Sequence, residues 1–299
     1  MKKFFAIMLG VLLIGSVAFA AVACNNTGND TINVYSREDG SGTRSAFVEL
    51  TGVLVEGEDG SETDMTFSGA DIFSGTNELR TAVQNDKNGI GYISYGSLSD
   101  SVKAVSVDGV APSTETIKSG EYKIARPFNV AYKAETLASN ALLNDFVTNF
   151  LDSAQAQEVI NDEKYVTVVE DAAEYVAPAS APAGEIAIGG SSSVYPLMEK
   201  LIAKYVELSG VDAAKIELSK SDSSGGMRDV ASGTIQLGMA SREVKQSEIE
   251  NGLTPLVIAN DGIAVIVNNE NAVNNLTMEQ IRLIFTGELR NWADITSAE

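Results

Sequence analysis

Apolar positions along the chain follow two rhythms. Short runs rich in Val, Ile and Tyr, bounded by Gly, Asp and Asn, predict strands at residues 32–36, 89–95, 103–107, 127–132, 165–169, 185–188, 215–219, 236–240, 255–259 and 263–268. Between them, apolar residues recur at helical spacing. Leu197, Leu201, Ile202 and Tyr205 follow Pro196, a residue suited to a first helical turn. Leu142, Leu143, Phe146, Val147 and Phe150 form another such face, and Leu79, Ala82 and Val83 a third that runs into Asn88-Gly89. Thr277-Met278-Glu279-Gln280 is a capping box ahead of Ile281, Ile284 and Phe285, with Gly287 as the stop. Strands alternating with helices predict an α/β fold with mainly parallel sheets. One stretch follows neither rhythm. Residues 177–184, Ala-Pro-Ala-Ser-Ala-Pro-Ala-Gly, are small and uncharged and read as a linker.

The start of the chain is apolar without periodicity. Lys2 and Lys3 precede a nearly unbroken apolar run over residues 4–23, which ends Ala21-Val22-Ala23-Cys24 and then turns polar. This predicts a signal peptide over 1–23, a lipidated Cys24 and a tether over 24–31. The alternative is an ordinary cleavage after Ala18-Phe19-Ala20. Cys24 is the only cysteine, so no internal disulfide can form. No later apolar run is long enough to span a membrane.

Composition narrows the function. With 21 basic against 41 acidic residues the formal charge is −20, which argues against nucleic acid or an anionic membrane surface as partner. An anionic ligand would have to be held by local dipoles and a few placed arginines. The chain has no histidine, which removes His-based triads, general bases and metal ligands.

Candidate chemistry lies in three Ser/Gly-rich stretches between a strand and a helix: Gly40-Ser41-Gly42-Thr43, Gly189-Gly190-Ser191-Ser192-Ser193-Val194 and Ser221-Asp222-Ser223-Ser224-Gly225-Gly226. The first turn of a helix carries N–H groups without internal partners and partial positive charge, so each is a potential anion site. Alternatively, each Ser or Thr is simply an N-cap and each Gly serves a turn. No stretch matches the nucleotide P-loop pattern. Arg37 adds positive charge beside the first stretch, or else pairs with Glu38. Asp39 repels a fully ionised anion but can accept a hydrogen bond from one that keeps a proton, as monohydrogen phosphate does and sulfate does not. Its alternative is a turn aspartate.

The run S-R-E-D-G-S-G-T-R-S-A-F at 36–47 resembles the phosphate loop of phosphate-binding lipoproteins, the extracytoplasmic receptors of the phosphate-specific ABC importer. Further likeness lies in G-I-G-Y-I-S-Y-G (89–96), R-P-F (126–128), G-S-S-S-V-Y-P-L-M-E (190–199), S-S-G-G-M (223–227), L-G-M-A-S-R (237–242), I-A-N-D-G-I-A-V-I-V-N (258–268) and L-T-M-E-Q-I-R-L-I-F-T-G-E-L-R-N-W (276–292). The resemblance implies a two-lobed fold of the periplasmic-binding-protein type II kind, with phosphate clamped between the lobes, no cofactor and no catalysis. It implies that Arg37, Asp39, Ser41, Gly42 and Thr43 reach the phosphate from one lobe, and Ser192, Ser193, Val194 and Ser223 from the other. It also implies an ABC permease as partner and a lipid-anchored place on the outer face of the cell membrane. Arg242 departs from members that carry an aspartate there. It would add a positive charge to the site and remove a proton acceptor, leaving Asp39 as the reader of the phosphate proton.

Motif order departs too. In the family the G-S-S-S-V-Y-P block comes first and the S-R-E-D-G-S-G-T block follows the N-W stretch; here the order is reversed. This is the signature of a circular permutation, with 177–184 joining the family's old end to its old beginning. One lobe would then comprise residues 31–119 plus 263–299 and the other 120–262. Alternatives are a fragment of a tandem array or a swapped dimer. On function, the alternatives are a phosphate-responsive receptor, or a phosphatase-like enzyme with Ser41 or Ser193 as nucleophile.

Overall fold

A computed structural model describes residues 30–57 and 61–295. The leader and Cys24 lie outside these residues. Nine strands build the main sheet: β1 (Asn33–Arg37), β2 (Asp71–Phe73), β3 (Gly89–Ser94), β4 (Lys103–Ala104), β5 (Ala125–Lys133), β6 (Ile186–Gly190), β7 (Ile216–Leu218), β8 (Leu237–Ala240) and β9 (Leu253–Val267). Their order is β7-β6-β8-β5-β9-β3-β1-β2, with β4 also on β9. The flanking pairs are parallel, as a strand–helix alternation requires, but the centre is not: β5 runs antiparallel to β8 and β9, and β9 antiparallel to β3.

Three strand expectations need correction; the expected strand 103–107 divides into β4 and a separate short strand, Ser106–Val107, that pairs outside the main sheet. The segments 255–259 and 263–268 are one strand, β9. Asn260-Asp261-Gly262 reads as a turn in sequence, yet it pairs with Pro127, Arg126 and Ala125 of β5 and only a register shift between Val257 and Ala259 marks the site. Residues 165–169 are not a strand; Val166 alone bridges to Asn260.

β5 and β9 carry the sheet through the middle of the molecule, and apolar residues gather on either side of that crossing. One cluster contains Phe128, Phe146, Ile188, Leu197, Tyr205 and Met239. A second contains Ile32, Phe47, Tyr92, Ile124, Val265 and Phe285. Along β9 the side chains alternate by the period of a strand: Ile263, Val265 and Val267 join the second cluster, and Ala264 and Ile266 a third with Leu79 and Val83.

Five helices matter for the site: α1 (Gly42–Thr51), α2 (Thr76–Asn85), α3 (Tyr195–Ser209), α4 (Ser223–Ala231) and α5 (Met278–Thr286). The capping box at Thr277 forms as its sequence predicts, and Gly287 ends α5 with a left-handed φ of 82°.

The two ends of the described chain meet. Ile32 N–H donates to Arg290 O at 2.7 Å, and Trp292 N–H to Asp30 O at 2.9 Å. The linker region is fastened to the first cluster. Leu142 and Ala154 N–H donate to Ala183 O and Ala173 O, and the Tyr175 hydroxyl donates to Asp145 Oδ2 at 2.7 Å.

Candidate functional site

β1 delivers Arg37 at its last residue, and the following loop turns at Gly40, whose φ of 87° suits glycine. The Tyr92 hydroxyl, stacked through its ring on Phe47, bonds Ser36 Oγ at 2.8 Å and accepts from Arg37 N–H at 3.2 Å. Ser41 then caps α1, accepting from Arg44 N–H. This fixes Gly42 and Thr43 in the first turn, where backbone N–H groups lack helical partners.

From the other half of the chain, β6 ends at Gly190 and the Ser191–Ser193 loop enters α3. The halves meet through hydroxyls. Thr43 Oγ1 lies 2.8 Å from Ser193 Oγ, and Thr76 Oγ1, at the first residue of α2, lies 3.2 Å from it. Arg37 Nη2 donates to Ser192 Oγ at 3.1 Å and Nη1 to Thr76 Oγ1 at 3.4 Å. Ser241 Oγ accepts from Ser191 Oγ at 2.9 Å, and Ser223 Oγ accepts from Ser241 N–H at 3.1 Å. Gly42 packs directly on this group: a Cβ there would stand 2.3 Å from Ser223 Oγ and 2.9 Å from Ser241 Oγ. Arg37, Ser41, Thr43, Ser193, Ser223 and Ser241 are all buried.

Arg37, Ser41, Gly42, Thr43, Ser192, Ser193 and Ser223 therefore come together. Three expected residues do not. The Asp39 carboxylate is 97% exposed and pairs outward with Arg44 at 2.8 Å, because the turn at Gly40 points it away from the hydroxyl cluster. In this arrangement the carboxylate faces Arg44 rather than the hydroxyl cluster. Arg242 lines a cavity with Asp39, Gly40 and Ser41, but its two Nη groups fork onto Glu248 at 2.8 and 2.9 Å, Nη1 also donates to Glu243 O and Nη2 to Ser224 Oγ, leaving only a buried Nε unpaired. Burial pushes the Glu248 pKa up, but hydrogen bonds from Arg242 and from the Lys245 N–H outweigh it and hold the carboxyl below its ordinary value. Val194 turns its side chain into the first cluster and its N–H donates to Ser191.

The third Ser/Gly stretch also differs from expectation. Ser223–Gly226 lie inside α4 rather than before it, and the Asp222 carboxylate caps that helix by accepting from Gly225 N–H at 2.7 Å. Its N-terminus already has an anion.

Reading by sequence alone names Ser191 only as part of a Ser/Gly stretch and assigns no role to Thr76, Ser241 or Arg126. Thr76 had a signal: Ser74-Gly75-Thr76 repeats the Ser-Gly-Thr of 41–43, and both open a helix. Arg126 stands across from Asp261 in the β5–β9 ladder, and its Nη2 donates to Asp261 Oδ2 at 3.2 Å. Its Nε and Nη1 are buried without a partner. Burial, and repulsion from nearby Arg37, lower the Arg126 pKa while Asp261 raises it. Burial likewise pushes Asp261 up to about 6, against the pull of Arg126.

Comparison with known proteins places this geometry. A family model described as a PBP superfamily domain matches residues 21–154 and 176–299. Phosphate-binding protein PstS 2 of Streptococcus agalactiae is 38% identical over 287 residues, 96% of this chain and 95% of that protein. The chain belongs to this family of phosphate-binding proteins, within the PBP superfamily. Phosphate-binding protein PstS 2 of Streptococcus pneumoniae is 39% identical, over 96% of this chain and 98% of its own. The crystal structure of a phosphate-binding protein of a phosphate ABC transporter from S. pneumoniae superposes with a TM-score of 0.69 at 40% identity. It covers 89% of this chain and 100% of its own. The periplasmic-binding-protein fold is thus shared, and among the described residues no helix is long and apolar enough to cross a membrane.

Proposed function

We propose that the protein captures inorganic phosphate between its two halves and delivers it to the permease of an ABC importer. The observation that carries this reading is the convergence of Arg37, Thr43 and Thr76 from one half with Ser192 and Ser193 from the other. Groups that bond to one another here are those an oxyanion would engage: one guanidinium, several hydroxyls and the first turn of α1. A hydroxyl both donates and accepts, so Thr43, Thr76 or Ser193 can accept a hydrogen bond from the P–OH of monohydrogen phosphate without Asp39. The named function of the streptococcal relatives supports the same reading.

The protein acts by binding, not catalysis. Ser193 Oγ is bonded to two hydroxyls rather than to a base, and Ser41 Oγ serves as a helix cap, so neither is set up as a nucleophile. We read residues 31–119 plus 263–299 and residues 120–262 as two lobes that close over the ligand about β5 and β9. The meeting of the chain ends near Thr31 and Asn291 supports a permuted order of the family's motifs within one chain. The apolar leader ending at Cys24 supports a lipid anchor outside the cell membrane. Isothermal titration of the protein without its leader tests the function. Saturable heat with phosphate and weaker heat with sulfate is expected; no heat with phosphate, or equal binding of sulfate, overturns it.

A further inference from the structure

We propose that Arg126 is a second anion-binding arginine of the cleft, held ready by Asp261 and contributing to ligand affinity beside Arg37. The proposal rests on the phosphate-binding reading above and extends it to a residue outside the three Ser/Gly stretches.

Four observations lead to it. Arg126 is 4% exposed, and of its three guanidinium nitrogens only Nη2 has a partner. Buried N–H donors of a charged group are rarely left unpaired, because they forfeit their hydration for nothing. Second, Arg37 is close enough for its charge to act on Arg126. An anion near both would relieve that repulsion. Third, Asp261, the partner of Arg126, accepts a long hydrogen bond from Gly96 N–H at 3.5 Å. Gly96 and Ser192 line the same cleft, together with Arg80 and Lys220, and Ser192 is the residue that Arg37 reaches across the two halves. The pair therefore lies directly behind a residue that lines this cleft. Fourth, the β5–β9 ladder fixes Arg126 and Asp261 opposite each other, so the guanidinium is positioned before any ligand arrives.

A purely structural ion pair is the competing account, and a single substitution cannot separate the two because it strands a buried charge. The double variant Arg126→Met/Asp261→Asn removes both charges together. Titration with inorganic phosphate is compared among the wild type, the double variant and Arg126→Lys, with unliganded thermal melting alongside. Expected is about a 10- to 100-fold weaker phosphate affinity in the double variant, with its unliganded melting transition retained, and partial recovery in Arg126→Lys. Wild-type affinity in a folded double variant overturns the role of Arg126 and leaves the phosphate reading standing. Loss of the unliganded transition in the double variant while Arg126→Lys binds normally also overturns it, since the pair is then structural alone. Failure of the wild type itself to bind phosphate overturns both.

Discussion

Arg37 and Arg242 look alike in isolation. Each is buried, each sits beside a Ser-rich stretch, and each grips a glutamate with two nitrogens, Glu38 in one case and Glu248 in the other. What differs is where the remaining donors go. Arg37 sends one across the cleft, to Ser192, and keeps another within its own half, on Thr76. Arg242 uses its remaining bonds on Glu243 O and Ser224 Oγ, within its own half. Both cations are screened by a carboxylate, so charge alone does not separate them. The property that separates them is a donor that reaches the other half of the molecule.

The strongest way to break this comparison is to remove the Arg37 guanidinium. Arg37→Met should weaken phosphate binding by roughly 100-fold or more in calorimetric titration, since charge-assisted hydrogen bonds are lost. An affinity within a few-fold of wild type would show that the cross-cleft donors carry no ligand.

Next in size is the acid behind Arg126. Burial raises the Asp261 pKa from 3.8 to about 6, so between those values the folded protein binds a proton that the unfolded chain does not. Its contribution to stability is therefore full below about pH 4 and lost as pH rises through about 6, for a span on the order of 3 kcal/mol. Arg126 faces this carboxyl directly, and the nearby tyrosines Tyr122 and Tyr165 have raised pKa values and stay neutral throughout. Denaturant melts of wild type and Asp261→Asn should show a difference in stability that shifts toward the wild type on acidification from pH 7 to pH 4. A difference independent of pH would remove Asp261 as a titrating group.

A smaller effect sharpens the contrast from the other side. Arg242→Met strands Glu248, which is partly solvated, and should cost about 2 kcal/mol of stability while leaving phosphate affinity within about 3-fold of wild type. Loss of affinity comparable to that of Arg37→Met would place Arg242 among the ligand-binding groups. The smallest effect is expected at Asp39. Asp39→Asn removes an exposed pair with Arg44, worth at most about 1 kcal/mol, and should leave the preference between phosphate and sulfate unchanged. A shift toward sulfate, measured by competition titration, would restore Asp39 as the reader of the ligand proton.

Legibility in the sequence varied by element for physical reasons. Helices with a local start and stop were readable: Thr277 and Gln280 cap α5, and Gly287 ends it, through contacts within a few residues. Asn260-Asp261-Gly262 was not, because its residues favour a turn in isolation while a ladder with β5 holds them extended. The same division runs through the site. Ser41, Gly42, Thr43 and Ser193 stood out because a Ser/Gly run before a helix is a local pattern. Asp39 and Arg242 misled because the orientation of a side chain depends on partners distant in sequence or on one backbone turn.

Thus the residues by themselves determined the α/β class, the family, the Ser/Gly helix starts and the exclusion of histidine chemistry, all of which follow from composition and short-range pattern. Only the tertiary structure decided which charges face the cleft. Arg37 and Ser192 are 155 positions apart, as are no two residues that local spacing could pair, and Arg126 lies 135 from Asp261. Such contacts arise from the crossing of β5 and β9 and the packing of the two halves around it. That packing turned Asp39 outward, locked Arg242 to Glu248, and buried Arg126 with two of its nitrogens unpaired.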